Sequence, residues 1–178
     1  MGKYGLLCPY RRKYDMIQEK NADGAEERGA GVEIVSHSPE ETRAVGAFIG
    51  KRLKRGMALC LTGDLGAGKT LFTKGIAAGL GVKEDVTSPS FTLMNLYAGR
   101  LFVAHFDLYR LDGEGALEEI GFYEYAEDPR GVAIIEWADK FPDALPAHHL
   151  SVALSRGESA DERRLSFAAS GDGYEDMM

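Results

Sequence analysis

Cysteine is scarce in this chain: 178 residues hold two, Cys8 and Cys60. They share no metal-ligand spacing and suggest no disulfide framework. Cys60 lies inside the run Met57-Ala58-Leu59-Cys60-Leu61, where it reads as a small buried hydrophobe. Long hydrophobic runs are also missing. No stretch nears the ~18 apolar residues of a membrane span, and Leu6-Leu7-Cys8 is too short an apolar stretch for a signal peptide or lipoprotein leader. No membrane association is expected, and the expected location is cytoplasmic. Positive charge is in deficit as well: 21 Lys+Arg face 28 Asp+Glu, a net charge of −7. A chain so charged lacks the basic footprint needed to grip nucleic acid alone. Any link to RNA is expected to run through a partner.

What is present fits one soluble domain. The length matches a single unit at roughly 100–200 residues per domain, and 44% hydrophobic with 28% charged residues is ordinary. Residues 1–31 carry Lys3, Arg11, Arg12 and Lys13, then a Gly/Glu/Asn-rich stretch without apolar periodicity. They are expected to be a disordered extension, with Met16 as an alternative start. Residues 32–168 are expected to form the folded domain, and residues 169–178 an acidic tail.

Within the domain, Val32 to Ser36 alternates like a strand. Ser38-Pro39-Glu40-Glu41 starts a helix, with Ser38 as N-cap, Pro39 at the first helical position and Glu41 closing a capping box. The Lys51–Arg55 cluster then falls at that helix's C-terminus, where it complements the macrodipole. Met57 to Thr62 predicts a buried strand, and Leu71 to Leu80 a helix ending at Gly79 and Gly81. Phe91 to Tyr97 and Leu101 to Asp107 alternate around Ala98-Gly99-Arg100, which predicts a hairpin. Gly115 to Tyr125 predicts one helix, Gly131 to Glu136 a buried strand, and Leu150 to Leu154 and Arg164 to Ala168 the last strands. The expected fold class is α/β: a P-loop NTPase-like mixed sheet flanked by helices, with added antiparallel strands.

Gly63-Asp64-Leu65-Gly66-Ala67-Gly68-Lys69-Thr70 carries the chemistry. The spacing GxxxxGK(S/T) places glycines where the backbone must turn its N–H groups toward phosphates. A helix starts there and adds its positive end. Lys69 can reach the β- and γ-phosphates, and the Thr70 hydroxyl can ligate Mg²⁺. A chance match in a chain this long arises at roughly the 1% level, and the flanking strand and helix lower it further. The expected cofactors are ATP and Mg²⁺. An acid at the end of a hydrophobic strand usually completes such a site. Glu136 follows Val132-Ala133-Ile134-Ile135, and Asp107 ends the run from Leu101. Thr87-Ser88-Pro89-Ser90-Phe91-Thr92 is a hydroxyl-rich, proline-stiffened loop; it fits either a strand entry or a switch that senses the γ-phosphate.

At these residues the sequence resembles the bacterial TsaE (formerly YjeE) family, ATPases of tRNA threonylcarbamoyladenosine synthesis. The matching segments are Gly63 to Thr70, Thr87 to Thr92, His105-Phe106-Asp107-Leu108-Tyr109-Arg110 and Ile135-Glu136-Trp137-Ala138-Asp139. The resemblance implies an ATPase, weak alone and stimulated by the TsaD and TsaB proteins, with tRNA reached only through that complex. It implies Thr70 and Glu136 as metal ligands, Asp107 as a catalytic or metal-linked acid, and Lys69 and Glu136 as catalytic partners. It places Trp137 and the loop residues Thr87, Ser88 and Ser90 beside the nucleotide, and brings Arg163 or Arg164 toward it. Two other readings are a small-molecule kinase and a nucleotide-dependent switch without significant turnover. Against the first, no arginine-rich lid follows the loop's helix; against a GTP switch, no Asn-Lys-x-Asp segment occurs.

Overall fold

Ser38 opens the first helix as its sequence demands. The Ser38 hydroxyl accepts the Glu41 N–H at 3.1 Å, and the Glu41 carboxylate reaches back to the His37 N–H at 2.7 Å. The reciprocal cap therefore closes one residue earlier than the usual box. The helix, α1, runs Pro39–Arg52. At its other end the Arg52 guanidinium lies 3.4 Å over the Phe48 ring and donates to the Phe48 carbonyl. Part of the basic cluster thus serves the helix terminus, where carbonyls lack partners.

The structure is a computed structural model that describes residues 31–174 and 177. The expected disordered extension over residues 1–31 and the alternative start at Met16 lie outside the described residues, except for Gly31. The elements before and after α1 are β1 (Val32–Ser36), β2 (Met57–Thr62), α2 (Lys69–Gly79), β3 (Met94–Ala98), β4 (Phe102–Asp107), α3 (Gly115–Glu119), α4 (Phe122–Ala126), β5 (Gly131–Glu136), β6 (His149–Arg156) and β7 (Arg163–Ser170), with short 3-10 turns at Ala138–Lys140 and Pro142–Ala144. They build a seven-stranded sheet in the order β1-β7-β6-β2-β5-β4-β3. Strands β6, β2, β5 and β4 run parallel. Strands β7 and β3 run antiparallel to their neighbours, and β1 pairs antiparallel with β7. This is the mixed α/β sheet expected from the alternation of elements.

Two cores flank the sheet. Helices α1 and α2 cover one face, where Val45, Ile49, Phe72 and Ile76 meet Leu59, Leu61, Val103 and Ile134. On the other face Leu117, Phe122 and Phe141 pack on Ala58, Cys60, Ala104, Phe106 and Ile135. The parallel strands are buried on both faces, which is why they read as near-continuous apolar runs. Glycine sets the spacing of the helix layer. Gly46 and Gly50 of α1 face Gly75 and Gly79 of α2. A Cβ at Gly50 would strike the Ile76 carbonyl, and one at Gly79 the Ala47 carbonyl.

Three elements differ from expectation. The helix expected over 115–125 breaks in two, because Gly121 sits at φ 69° between α3 and α4. Strand β3 starts at Met94 rather than Phe91: Leu93 turns at φ 65° and its N–H donates to the Pro89 carbonyl. The last two strands are longer than expected and extend to Arg156 and Ser170. Beyond them, within the stretch expected as an acidic tail, Tyr174 is buried. Its hydroxyl accepts from the Ala58 N–H at 2.9 Å and lies 3.2 Å from the Ala58 carbonyl and 3.3 Å from that of His148. It sits one residue ahead of the point where β6 begins to pair with β2.

Candidate nucleotide site

Strand β2 delivers the chain to Gly63–Thr70 at the C-terminal end of the parallel strands, where open α/β sheets bind ligands. Gly63, Gly66 and Gly68 all hold positive φ, at 127°, 78° and 105°. A side chain at Gly63 would also run into the Leu154 carbonyl. Asp64, Leu65 and Gly66 are exposed at the loop's crest, with Leu65 74% accessible, while Ala67 is buried beneath them. Gly68 precedes α2 and offers no side-chain cap, so the first N–H groups of that helix lack one and are available to an anion.

Lys69 folds back across the loop. Its ammonium donates to the carbonyls of Gly63 and Asp64, the latter at 3.0 Å, and lies 3.6 Å over the Trp137 ring. Burial lowers its pKa, and the charges of Glu136, Asp107, Asp139 and Asp64 oppose that shift. A lysine surrounded by carboxylates with only carbonyls as hydrogen-bond partners is a cation suited to phosphate oxygens. Trp137 follows β5 in the left-handed region at φ 60°, an unusual place for a bulky residue. Its ring also meets Tyr109, with centroids 4.7 Å apart.

The two expected acids come together. Asp107 and Glu136 are register partners at the ends of β4 and β5, and both are buried. Their surroundings differ. Glu136 accepts the Thr70 hydroxyl on Oε2 at 3.0 Å, and on Oε1 it meets the Thr73 hydroxyl at 3.2 Å and His105 Nε2 at 2.9 Å. Asp107 accepts Ser88 at 2.7 Å and Ser90 at 2.9 Å on Oδ2, and the Tyr109 N–H at 3.1 Å on Oδ1. The hydroxyl-rich loop is thus tied to Asp107 through its two serines. Thr87 is held differently: Tyr97 Oη bridges its N–H and its carbonyl, each at 3.3 Å. The next residue after Ser90, Phe91, projects into solvent with 84% of its surface exposed.

Thr70 and Glu136 bring oxygen donors to one point from α2 and β5. Hard oxygen ligands of this kind suit Mg²⁺, which keeps much of its shell in water and phosphate and needs one or two protein ligands. The residues present therefore fit the metal that the sequence motif implies. No cluster of three His, Cys, Asp or Glu side chains with metal-holding geometry occurs among the described residues.

Of the two C-terminal arginines, Arg163 lies against the loop, with Nη2 3.5 Å from the Gly66 carbonyl. Arg164 points away, to Glu33 and Glu158. Adjacent residues on a strand face opposite sides, so only one of the pair could approach. Three neighbours escaped the sequence reading. His105 and Thr73 grip Glu136, and Arg156 reaches the Gly66 turn, where it lies 2.9 Å from the position of an added Cβ. His105 was visible as the alternate position to Asp107 on β4, and Thr73 as the i+3 neighbour of Thr70.

The comparisons with known proteins agree with this geometry. The model of the family described as "Threonylcarbamoyl adenosine biosynthesis protein TsaE" matches residues 36–165. A protein named tRNA threonylcarbamoyladenosine biosynthesis protein TsaE from Bacillus subtilis is 42% identical over 139 residues, covering 78% of this chain and 85% of the relative. Its namesake from Treponema pallidum is 41% identical over 120 residues, covering 67% and 88%. The crystal structure of Bacillus subtilis YdiB superposes with a TM-score of 0.72 at 37% identity, covering 85% of this chain and 94% of that one. With the family model matching from the end of β1 into β7, the chain belongs to the TsaE family of threonylcarbamoyl adenosine biosynthesis proteins.

Proposed function

We propose that this chain binds ATP with Mg²⁺ on the Gly63–Thr70 loop, hydrolyses it, and serves the threonylcarbamoyladenosine modification of tRNA together with TsaD and TsaB. The observation that carries the site reading is the 3.0 Å bond between the Thr70 hydroxyl and Glu136, made across 66 positions of sequence directly behind the phosphate loop. Family membership and the relatives' names support the pathway.

The loop N–H groups and the start of α2 receive the β- and γ-phosphates. Lys69 leaves the Gly63 and Asp64 carbonyls for phosphate oxygens, and this exchange frees the face of Trp137. Thr70 and Glu136 would hold Mg²⁺, which would supply charge neutralisation at the phosphates. Asp107 lies next to Glu136 in register and orders Ser88 and Ser90, so it links the state of the phosphate site to the Thr87–Thr92 loop. Hydrolysis by the chain alone is expected to be slow. The TsaB–TsaD pair is the proposed stimulus, and tRNA is reached only through it.

Turnover of ATP, measured for the chain alone and with the TsaB–TsaD pair added, tests this reading. A slow rate that rises severalfold with the pair is expected. No turnover under either condition would remove the ATPase and leave a binding module.

A further inference from the structure

We propose that His105 and Thr73 are positioning residues that clamp one oxygen of Glu136 so that the other is presented to Mg²⁺. The inference rests on the assignment of Glu136 as a metal ligand and names what orients it.

The geometry divides the carboxylate in two. Oε1 receives His105 Nε2 at 2.9 Å and the Thr73 hydroxyl at 3.2 Å, whereas Oε2 receives only the Thr70 hydroxyl at 3.0 Å. Once Thr70 turns its oxygen to the metal, Oε2 keeps no anchor of its own, and two bonds still pin Oε1. An ionised carboxylate only accepts, so Nε2 carries the hydrogen and Thr73 donates. Thr73 lies three residues after Thr70 on α2, on the same helix face. His105 lies diagonally across from Glu136, since its register partner on β5 is Ile134.

Packing alone does not call for these residue types. His105 and Thr73 are fully buried, and the other imidazole nitrogen, Nδ1, has no hydrogen-bond partner among the described residues. A buried nitrogen left without a partner costs free energy, and a leucine or phenylalanine beside Val103 and Tyr97 would avoid it. Among the described residues the imidazole's one polar contact is Glu136. Partners of this kind, which hold a metal ligand rather than the metal, typically change metal affinity on the order of 10- to 100-fold when removed.

The test is a titration of Mg²⁺ into the full chain with a fluorescent ATP analogue, repeated in EDTA, with folding followed by circular dichroism. Thr73→Val and His105→Leu should raise the Mg²⁺ midpoint on the order of 10- to 100-fold and leave the affinity in EDTA at the wild-type value. Thr73→Ser should restore the midpoint. His105→Gln, whose amide reaches the place of Nε2, should recover part of it. If His105→Leu does not fold, the Thr73 pair decides. A folded Thr73→Val protein with a wild-type midpoint overturns the clamp, as does an equal loss of affinity with and without Mg²⁺. Glu136→Gln is the control: a shifted midpoint there beside an unshifted Thr73→Val sinks the clamp alone. An unshifted Glu136→Gln removes the metal-ligand assignment and the clamp with it.

Discussion

Asp107 and Glu136 end neighbouring strands, yet their hydrogen-bond partners differ. Glu136 faces α2 and the Thr70 hydroxyl, while Asp107 faces the serine loop. Glu136→Gln should therefore weaken the Mg²⁺ dependence of ATP binding, and Asp107→Asn should spare binding and lower turnover. Paired binding and rate measurements check this, and the reverse pattern would exchange the two roles. Another acid reports on stability. Hydrogen bonds from the Arg130 guanidinium, joined by the Arg130 backbone N–H, hold the Asp128 carboxyl down at about 2. Its folded value lies below the unfolded ~3.9, so the ion pair's contribution is complete above pH 4 and disappears as pH falls toward 2. Asp128→Asn should flatten the acid limb of a stability–pH curve between those values. Cys60 offers a chemical check on the core. Burial pushes its thiol up to about 12, so it should resist alkylation at pH 8 in the native protein and react once the chain is unfolded.

At the scale of elements, α1 and α2 lie close because each has two glycines four residues apart on the facing side: Gly46 and Gly50 against Gly75 and Gly79. Gly50→Ala forces a methyl onto the Ile76 carbonyl, an overpacking of about 1–3 kcal/mol, and α2 carries the phosphate loop's lysine and threonine. Chemical denaturation should show that loss, and nucleotide affinity should fall with it; an unchanged midpoint would mean that the helices separate freely. These glycine pairs were not legible in the sequence, because a glycine inside a helix looks first like a helix end. Gly79 was read that way, although α2 includes it. Much else was legible. Caps and apolar periods located α1, β2, α2 and β5, and the loop spacing located Gly63 to Thr70. The breaks were not. The 115–125 helix splits at Gly121 and β3 starts late, after Leu93, in both cases through a left-handed residue that apolar pattern does not report. His105 and Thr73 were missed for another reason: their contacts with Glu136 depend on the pairing of β4 with β5 and on the packing of α2 against β5, and both are tertiary facts.

For the whole molecule, the sheet order gathers residues from β2, α2, β4, β5 and β7 at one end of the parallel strands. The net charge of −7 opposes contact between that assembly and a phosphate backbone. Unmodified tRNA in a gel shift at near-physiological salt should stay free with the chain lacking residues 1–31, and shift when TsaB–TsaD is added. Tight binding by that shortened chain alone would contradict a partner-mediated role. The central claim is narrower, that this gathered end is an ATP–Mg²⁺ site, and one equilibrium titration tests it most directly. A fluorescent ATP analogue is titrated with Mg²⁺ into the wild-type chain and into Lys69→Ala and Thr70→Ala. Saturable binding by the wild type, displaced by ATP more readily than by GTP and lost in both variants, is the predicted result. Unchanged affinity in both variants would contradict the account.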